Sequence, residues 1–133
     1  MGMFEVIFEH ALQSIELDKD ITIETMTTLN LLFPQSLKES LQIIESGLVS
    51  RISTANGCYY HTVASTANSS HVILPNSCSC RAHAQQVVET KTEFMCKHLL
   101  AVEIASRLPG AEQSTVVPTD QWSKGLLALL WPQ

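Results

Sequence analysis

Four residues carry the chemistry that this chain can be read to perform. Cys78-Ser79-Cys80 and Cys96-Lys97-His98 stand on either side of a fifteen-residue spacer. Three thiols and one imidazole complete a tetrahedral donor set for zinc and leave no position for water or substrate. An ion held that way supports structure and leaves the chemistry of a reaction to others. Residues two apart on an extended segment point to the same face, so Cys78 and Cys80 can aim both sulfurs at one ion. Cys96 and His98 fall at the expected start of a helix, where unpaired N–H groups favour the thiolate that a metal needs. One structural zinc would then tie a hairpin to a helix. In zinc-finger peptides such a tie is worth on the order of 10 kcal/mol at neutral pH.

Other readings of the same residues are weaker. Buried cysteines often act as small hydrophobes, but three of the four cysteines fall into two matching half-motifs. A redox dithiol is usually Cys-x-x-Cys. A catalytic zinc needs an open position and a general base, and neither is evident. Cys58 lies apart on an expected strand and reads as a packed thiol. His61 and His71 read as surface or edge residues of strands, and His10 as part of the polar edge of the first helix. His83 sits inside the spacer and competes with His98, which holds the motif position. Arg81, Lys91 and Lys97 are close to the metal residues, but Glu89 and Glu93 offset them, and a solvated charged face is the simpler reading.

The elements that must position the four residues follow from periodicity. Helical spacing of Phe4, Ile7, Phe8, Ala11, Leu12 and Ile15 predicts a helix over 3–17. A second helix is expected over 21–33, with Ile23, Met26, Leu29 or Leu32 and Phe33 inward and Pro34 as its stop. Ser36 and Glu39 have the form of a capping box opening a third helix through Ile44, which Gly47 ends. Alternation then takes over. Val49, Ile52 and Thr54 predict a strand, Asn56-Gly57 a tight hairpin turn with both residues suited to positive φ, and Tyr59, His61 and Val63 the return strand. Residues 68–70 read as a turn and 71–74 as a third strand. Residues 82–89 predict a short helix and 96–108 a longer one that Pro109-Gly110 stops. Residues 111–118 read as a loop, and Asp120 as the cap of a last apolar helix. The expected class is α+β: a helical N-terminal region (1–47), a small antiparallel β-sheet with a zinc-tied finger and helices (48–108), and a loop with a C-terminal apolar helix (109–133).

Composition bounds the function. The chain has 133 residues, 45% of them apolar, and a net charge of −5, most simply one compact domain. Eight acidic side chains lie in residues 1–45 against Lys19 and Lys38. An acidic chain without a basic block is a poor stand-alone nucleic-acid binder. Glu5 and Glu9 interrupt the N-terminal apolar stretch, so no signal-peptide core is visible. No apolar run approaches the roughly 20 residues needed to span a bilayer. The reading is a soluble intracellular protein whose thiols stay reduced.

Cys-x-Cys, a spacer and Cys-x-His resemble the SWIM-type zinc finger. Cys96-Lys97-His98-Leu99-Leu100-Ala101 also fits its extended Cys-x-His-x-x-Ala form, which resembles the small SWIM subunits of Shu complexes. The resemblance covers roughly residues 20–108. Arg81 stands where proline is common in the family, and His83 where an aromatic residue is common; neither is a ligand. The resemblance implies zinc on Cys78, Cys80, Cys96 and His98, with Ala101 as a structural support of the finger. It implies a non-enzymatic adaptor that pairs with a RecA-like recombinase paralogue, supports filament assembly in homologous recombination, DNA repair and meiosis, and works in the nucleus, with DNA contacted mainly through the partner. Phe4, Phe8, Leu126, Leu130 and Trp131 read equally as core or as a partner interface, because an apolar terminal segment that stays ordered docks either on its own domain or on a partner. Two other classes stay open: a direct nucleic-acid reader and a ubiquitin-ligase adaptor. Ala101, one helical turn after His98, returns to the ligand's face. Ala101→Glu is therefore expected to disturb assembly more than zinc affinity, as read by pull-down and metal content.

Overall fold

The computed structural model describes residues 2–66, 69–74, 77–80 and 95–130. The elements run α1 (Met3–Asp18), α2 (Ile23–Leu32), α3 (Leu37–Glu45), β1 (Val49–Ser53), β2 (Tyr59–Thr66), β3 (Ser69–Leu74), β4 (Ser77–Cys78), α4 (Lys97–Ala105), β5 (Gln113–Val116) and α5 (Thr119–Leu130). The α+β class is as expected. The five strands pair in the order β4-β3-β2-β1-β5.

Register assigns the faces of the sheet. Val49 pairs with Val63 and Val63 with His71, while Arg51, His61, Ile73 and Cys78 form the next row. These residues share one face. Helix α4 packs on it. Leu99, Leu100, Ala101, Val102, Ile104 and Ala105 are all buried, the pattern of a helix with apolar neighbours on every side. On its far side lies the helical layer. There α1 contributes Phe8, Ala11, Leu12 and Ile15 at i, i+3, i+4 and i+7. Phe33 meets Phe4 and Phe8 edge-on, at centroid distances of 5.4 and 5.2 Å. The opposite sheet face, with Tyr60 and Val72, receives α5. Trp122 packs 5.6 Å from the Tyr60 ring and donates from Nε1 to the Ile52 carbonyl at 3.2 Å. A Cβ at Gly125 would stand 3.0 Å from the Tyr60 hydroxyl, so a glycine there lets α5 come close to the sheet.

Several elements depart from expectation. Residues 113–116, read as loop, form an edge strand parallel to β1, so the sheet is mixed and not purely antiparallel. Gln-Ser-Thr-Val carries no alternating apolar signal, and all four residues are exposed. The strand exists because the chain returns beside β1, where Gln113 Nε2 also donates to the Gly47 carbonyl at 3.3 Å. Ile23 points outward, 87% exposed, because the helix begins only at Ile23, capped by Thr22, whose hydroxyl accepts the Thr25 N–H at 3.2 Å. Ile21 and Met26 pack against the core instead, the two positions of a hydrophobic staple. Ser36 makes no side-chain cap, since its backbone is already helical. The hairpin between β1 and β2 has three residues in its loop, closed by the Thr54 N–H on the Cys58 carbonyl at 2.9 Å. Gly57 alone takes positive φ there, at 95°. Asp120 lies inside the first turn of α5. The expected turn at 68–70 gives way to β3, which begins at Ser69. The expected helix over 82–89 lies outside the described residues.

Leu100 has no exposed surface and Leu31 is a surface residue. Leu100→Ala should therefore lower unfolding stability by about 2–5 kcal/mol, whereas Leu31→Ala should change it by less than about 0.5 kcal/mol. Chemical denaturation of the two variants checks the pair.

Candidate metal centre

β3 and α4 bring the two half-motifs together. After β4 the chain stays extended against β3, held at Ser79. The Ser79 N–H donates to the Val72 carbonyl at 3.0 Å, and the Ser79 hydroxyl accepts the Val72 N–H at 2.9 Å. With Ser79 tied to the strand, Cys78 and Cys80 share the face turned to α4. From the other side, Cys96 is the N-cap of α4, in extended conformation, and its sulfur accepts the Leu99 N–H at 3.4 Å. His98 follows in the first turn.

The four donor atoms all lie within 4.8 Å of one another, and all four residues are buried. Zinc–sulfur bonds of about 2.3 Å put tetrahedral sulfurs about 3.8 Å apart, so this spacing suits one zinc ion. The chemistry of the donors agrees. Nδ1 of His98 is buried with no hydrogen-bond partner among the described residues, a costly state for a polar atom unless something else engages it. The Cys78 thiol beside it holds Cys96 well below the ordinary thiol range, helped by His98 and the Leu99 N–H. The same hydrogen bond, together with burial, pushes Cys78 up. The pair thus already favours one thiolate, at the helix N-terminus. Cys78, Cys80, Cys96 and His98 would hold the ion, and a closed Cys3His set would make it a cross-link between strand and helix.

Residues outside the motif complete the centre. The His71 ring stacks on His98, with centroids 4.3 Å apart and an interplanar angle of 39°. Burial, then the neighbouring His98, keeps His71 below the usual imidazole range and hence neutral. It is half-buried and lies outside the donor group. Ser40 of α3 is fully buried, with its hydroxyl 2.8 Å from the Lys97 carbonyl and 2.9 Å from the Ser36 carbonyl. Lys97 also reaches Glu39 at 2.8 Å. These contacts fix the start of α4 against α3. His71, Ser79 and Ser40 carry no motif signal. Register alone, with His71 opposite Val63 on the inward face, identifies the first of them.

The other expected site residues fall as follows. Ala101 is 0% exposed and sits in the core above the centre. Phe8, for which the sequence leaves core and partner interface open, is in the core, and Phe4 packs against it around Phe33. Helical spacing on an apolar face serves the core first. Leu126 is half-buried and Leu130 is exposed. Trp131, His83, Arg81, Lys91, Glu89 and Glu93 lie outside the described residues. His61 is buried, bonded through Nε2 to Glu112 at 2.9 Å, and Cys58 is exposed and not packed.

A buried Cys3His set that joins a sheet edge to the N-terminus of a core helix is consistent with a zinc finger of the SWIM type. No family model matches the chain, and no solved structure matches it. It is similar to the zinc finger SWIM domain-containing protein 7 of Homo sapiens, 25% identical over 117 residues that cover 86% of this chain and 84% of the human protein. The protein of the same name in Mus musculus is 26% identical over 92 residues, 68% of this chain and 60% of the mouse protein. The chain is a distant relative of these two SWIM proteins.

Substitutions at Cys96 and Ala101, with controls, separate the roles at this centre. Cys96→Ser should abolish zinc retention and broaden thermal unfolding, while Cys58→Ser should leave both unchanged; metal analysis and circular dichroism read the difference. Ala101→Glu, with its carboxylate forced into a fully buried site, should lose the fold itself, a larger effect than the loss of assembly expected from sequence. Ala101→Ser should keep the fold and the zinc.

Proposed function

We propose that the chain is a non-enzymatic zinc-binding adaptor subunit. It pairs with a RecA-like recombinase paralogue and supports recombinase filament assembly in homologous recombination, DNA repair and meiosis, within the nucleus. The observation that carries this reading is the closed, buried Cys3His set, in a chain similar to SWIM domain-containing protein 7 over most of its length. Four protein ligands leave no position for a substrate. A cavity of about 350 Å³ between α4 and the sheet also favours a binding role. Its His61 and Arg107 pair with Glu112 and Glu103, at 2.9 and 3.1 Å.

The charge distribution supports a division of labour. Lys97 and Arg107 are engaged by carboxylates, and Arg51 lies over the Tyr59 ring. A chain with a net charge of −5 and no block of basic residues is suited to leave the DNA to its partner. No helix among the described residues is long and apolar enough to cross a membrane. The outward side of α5, with Leu127 and Leu130 exposed, offers one surface for the partner.

Affinity purification of the tagged chain, with mass spectrometry and metal analysis of the same sample, tests the proposal. One zinc per chain together with a RecA-fold ATPase is the expected result. A zinc-bound chain with no such ATPase in repeated purifications would overturn the recombination role.

A further inference from the structure

The outer surface of α1 and α2 is apolar where a helical layer would ordinarily be polar. Met3, Val6 and Ile7 of α1 are exposed, Val6 by 50%, and so are Ile23 and Leu31 of α2. None of these belongs to the core, which takes Phe8, Ala11, Leu12 and Ile15 from the other side of α1. The two helices run antiparallel, since Phe4 near the start of α1 meets Phe33 just past the end of α2. Between them lies a groove of about 330 Å³, lined by Val6, Ile7, His10, Ser14, Glu24 and Thr28, among others. From Val6 to Ser14 it follows α1 for roughly 12 Å, about two helical turns.

Two features of the groove select its occupant. The first is charge. Residues 2–24 hold Glu5, Glu9, Glu16, Asp18, Asp20 and Glu24 against Lys19 alone. A strongly negative layer around an apolar strip favours a basic partner. It disfavours a second copy of this chain, whose own acidic rim would face it, and an anionic membrane for the same reason. The second is hydrogen bonding. Two of the groove's hydroxyls are turned back on their own helices: Ser14 Oγ donates to the His10 carbonyl at 3.1 Å, and Thr28 Oγ1 to the Glu24 carbonyl at 3.1 Å. Neither offers its proton to an extended peptide, whose backbone needs partners along its length. A helix satisfies its own backbone and presents only side chains.

We infer that the α1–α2 groove is a docking site for a basic amphipathic helix of a partner protein, with apolar side chains on Val6 and Ile7 and Lys or Arg along the acidic border. The inference rests on the adaptor reading only in that a partner protein supplies the helix.

The test uses the full zinc-loaded chain and two labelled synthetic helical peptides. One carries leucines on one face and lysines along both borders; the other has glutamate at every lysine position. Fluorescence anisotropy should give at least about ten-fold tighter binding of the lysine peptide, weakening with salt. Val6→Asp should weaken that binding by about ten-fold or more, with zinc content and circular dichroism unchanged. The double variant Glu9→Lys, Glu24→Lys should reverse the preference between peptides. Leu127→Asp, on α5, should bind as the parent does. Equal binding of both peptides, binding of neither, or undiminished binding by a folded Val6→Asp variant would overturn the site. So would a dimer of the chain that Val6→Asp dissociates, because the occupant would then be a second copy. A RecA-fold ATPase that copurifies equally with parent and Val6→Asp would sink the groove and leave the adaptor reading intact.

Discussion

Cys78 and Cys80 on the edge of the sheet meet Cys96 and His98 at the start of α4, and this meeting fixes the relation between the two halves of the fold. The sheet edge here is only two residues of β4, continued by the Ser79–Val72 pair. Such a short edge has little apolar area with which to hold itself. The four buried donors bring it into the same core that contains Leu99, Leu100 and Ile104. Bound zinc would convert that proximity into a strong constraint between the sheet edge and Cys96 at the start of α4. The thiolate preference of Cys96, created by its neighbours and the helix N-terminus, prepares the site for the metal.

Around this point the molecule is layered: α1–α3, then α4, then the sheet, then α5. Helix α4 belongs to every part of that arrangement. It is the partner of the zinc ligands, the packing surface for β1–β3, and the neighbour of α3 through Ser40 and Lys97. A binding role follows naturally from such an organisation. The rigid interior carries the metal, while the outer helical surfaces, α1 with α2 on one side and α5 on the other, remain apolar and accessible. The apolar residues of α4 are all buried, so the metal would act on assembly mainly by fixing what the outer helices pack against.

Much of this was legible in the sequence. The Cys-x-Cys and Cys-x-His pairs pointed to the four residues that the fold brings together as a group able to hold one ion. Helical periodicity gave α1, and Gly47 its stop for α3, with φ of 69°. What escaped were features settled by tertiary contact. Gln113–Val116 has a polar, exposed sequence and becomes a strand only through its position beside β1. Phe4 and Phe8 look equally suited to a core or a partner, and Phe33 decides for the core. His71 looks like an ordinary strand residue until register places it on the His98 ring. Ile23 and Ile21 are both apolar and two apart, and the cap at Thr22 determines which one faces inward.

The most direct measurement is native mass spectrometry of the purified wild-type chain, prepared without chelator or oxidant, alongside its circular dichroism before and after addition of a strong chelator. A mass increment of one zinc per folded chain, with loss of structure when the metal is stripped, is the result that a metal-centred fold requires. A well-folded chain carrying no metal, indifferent to the chelator, would contradict it.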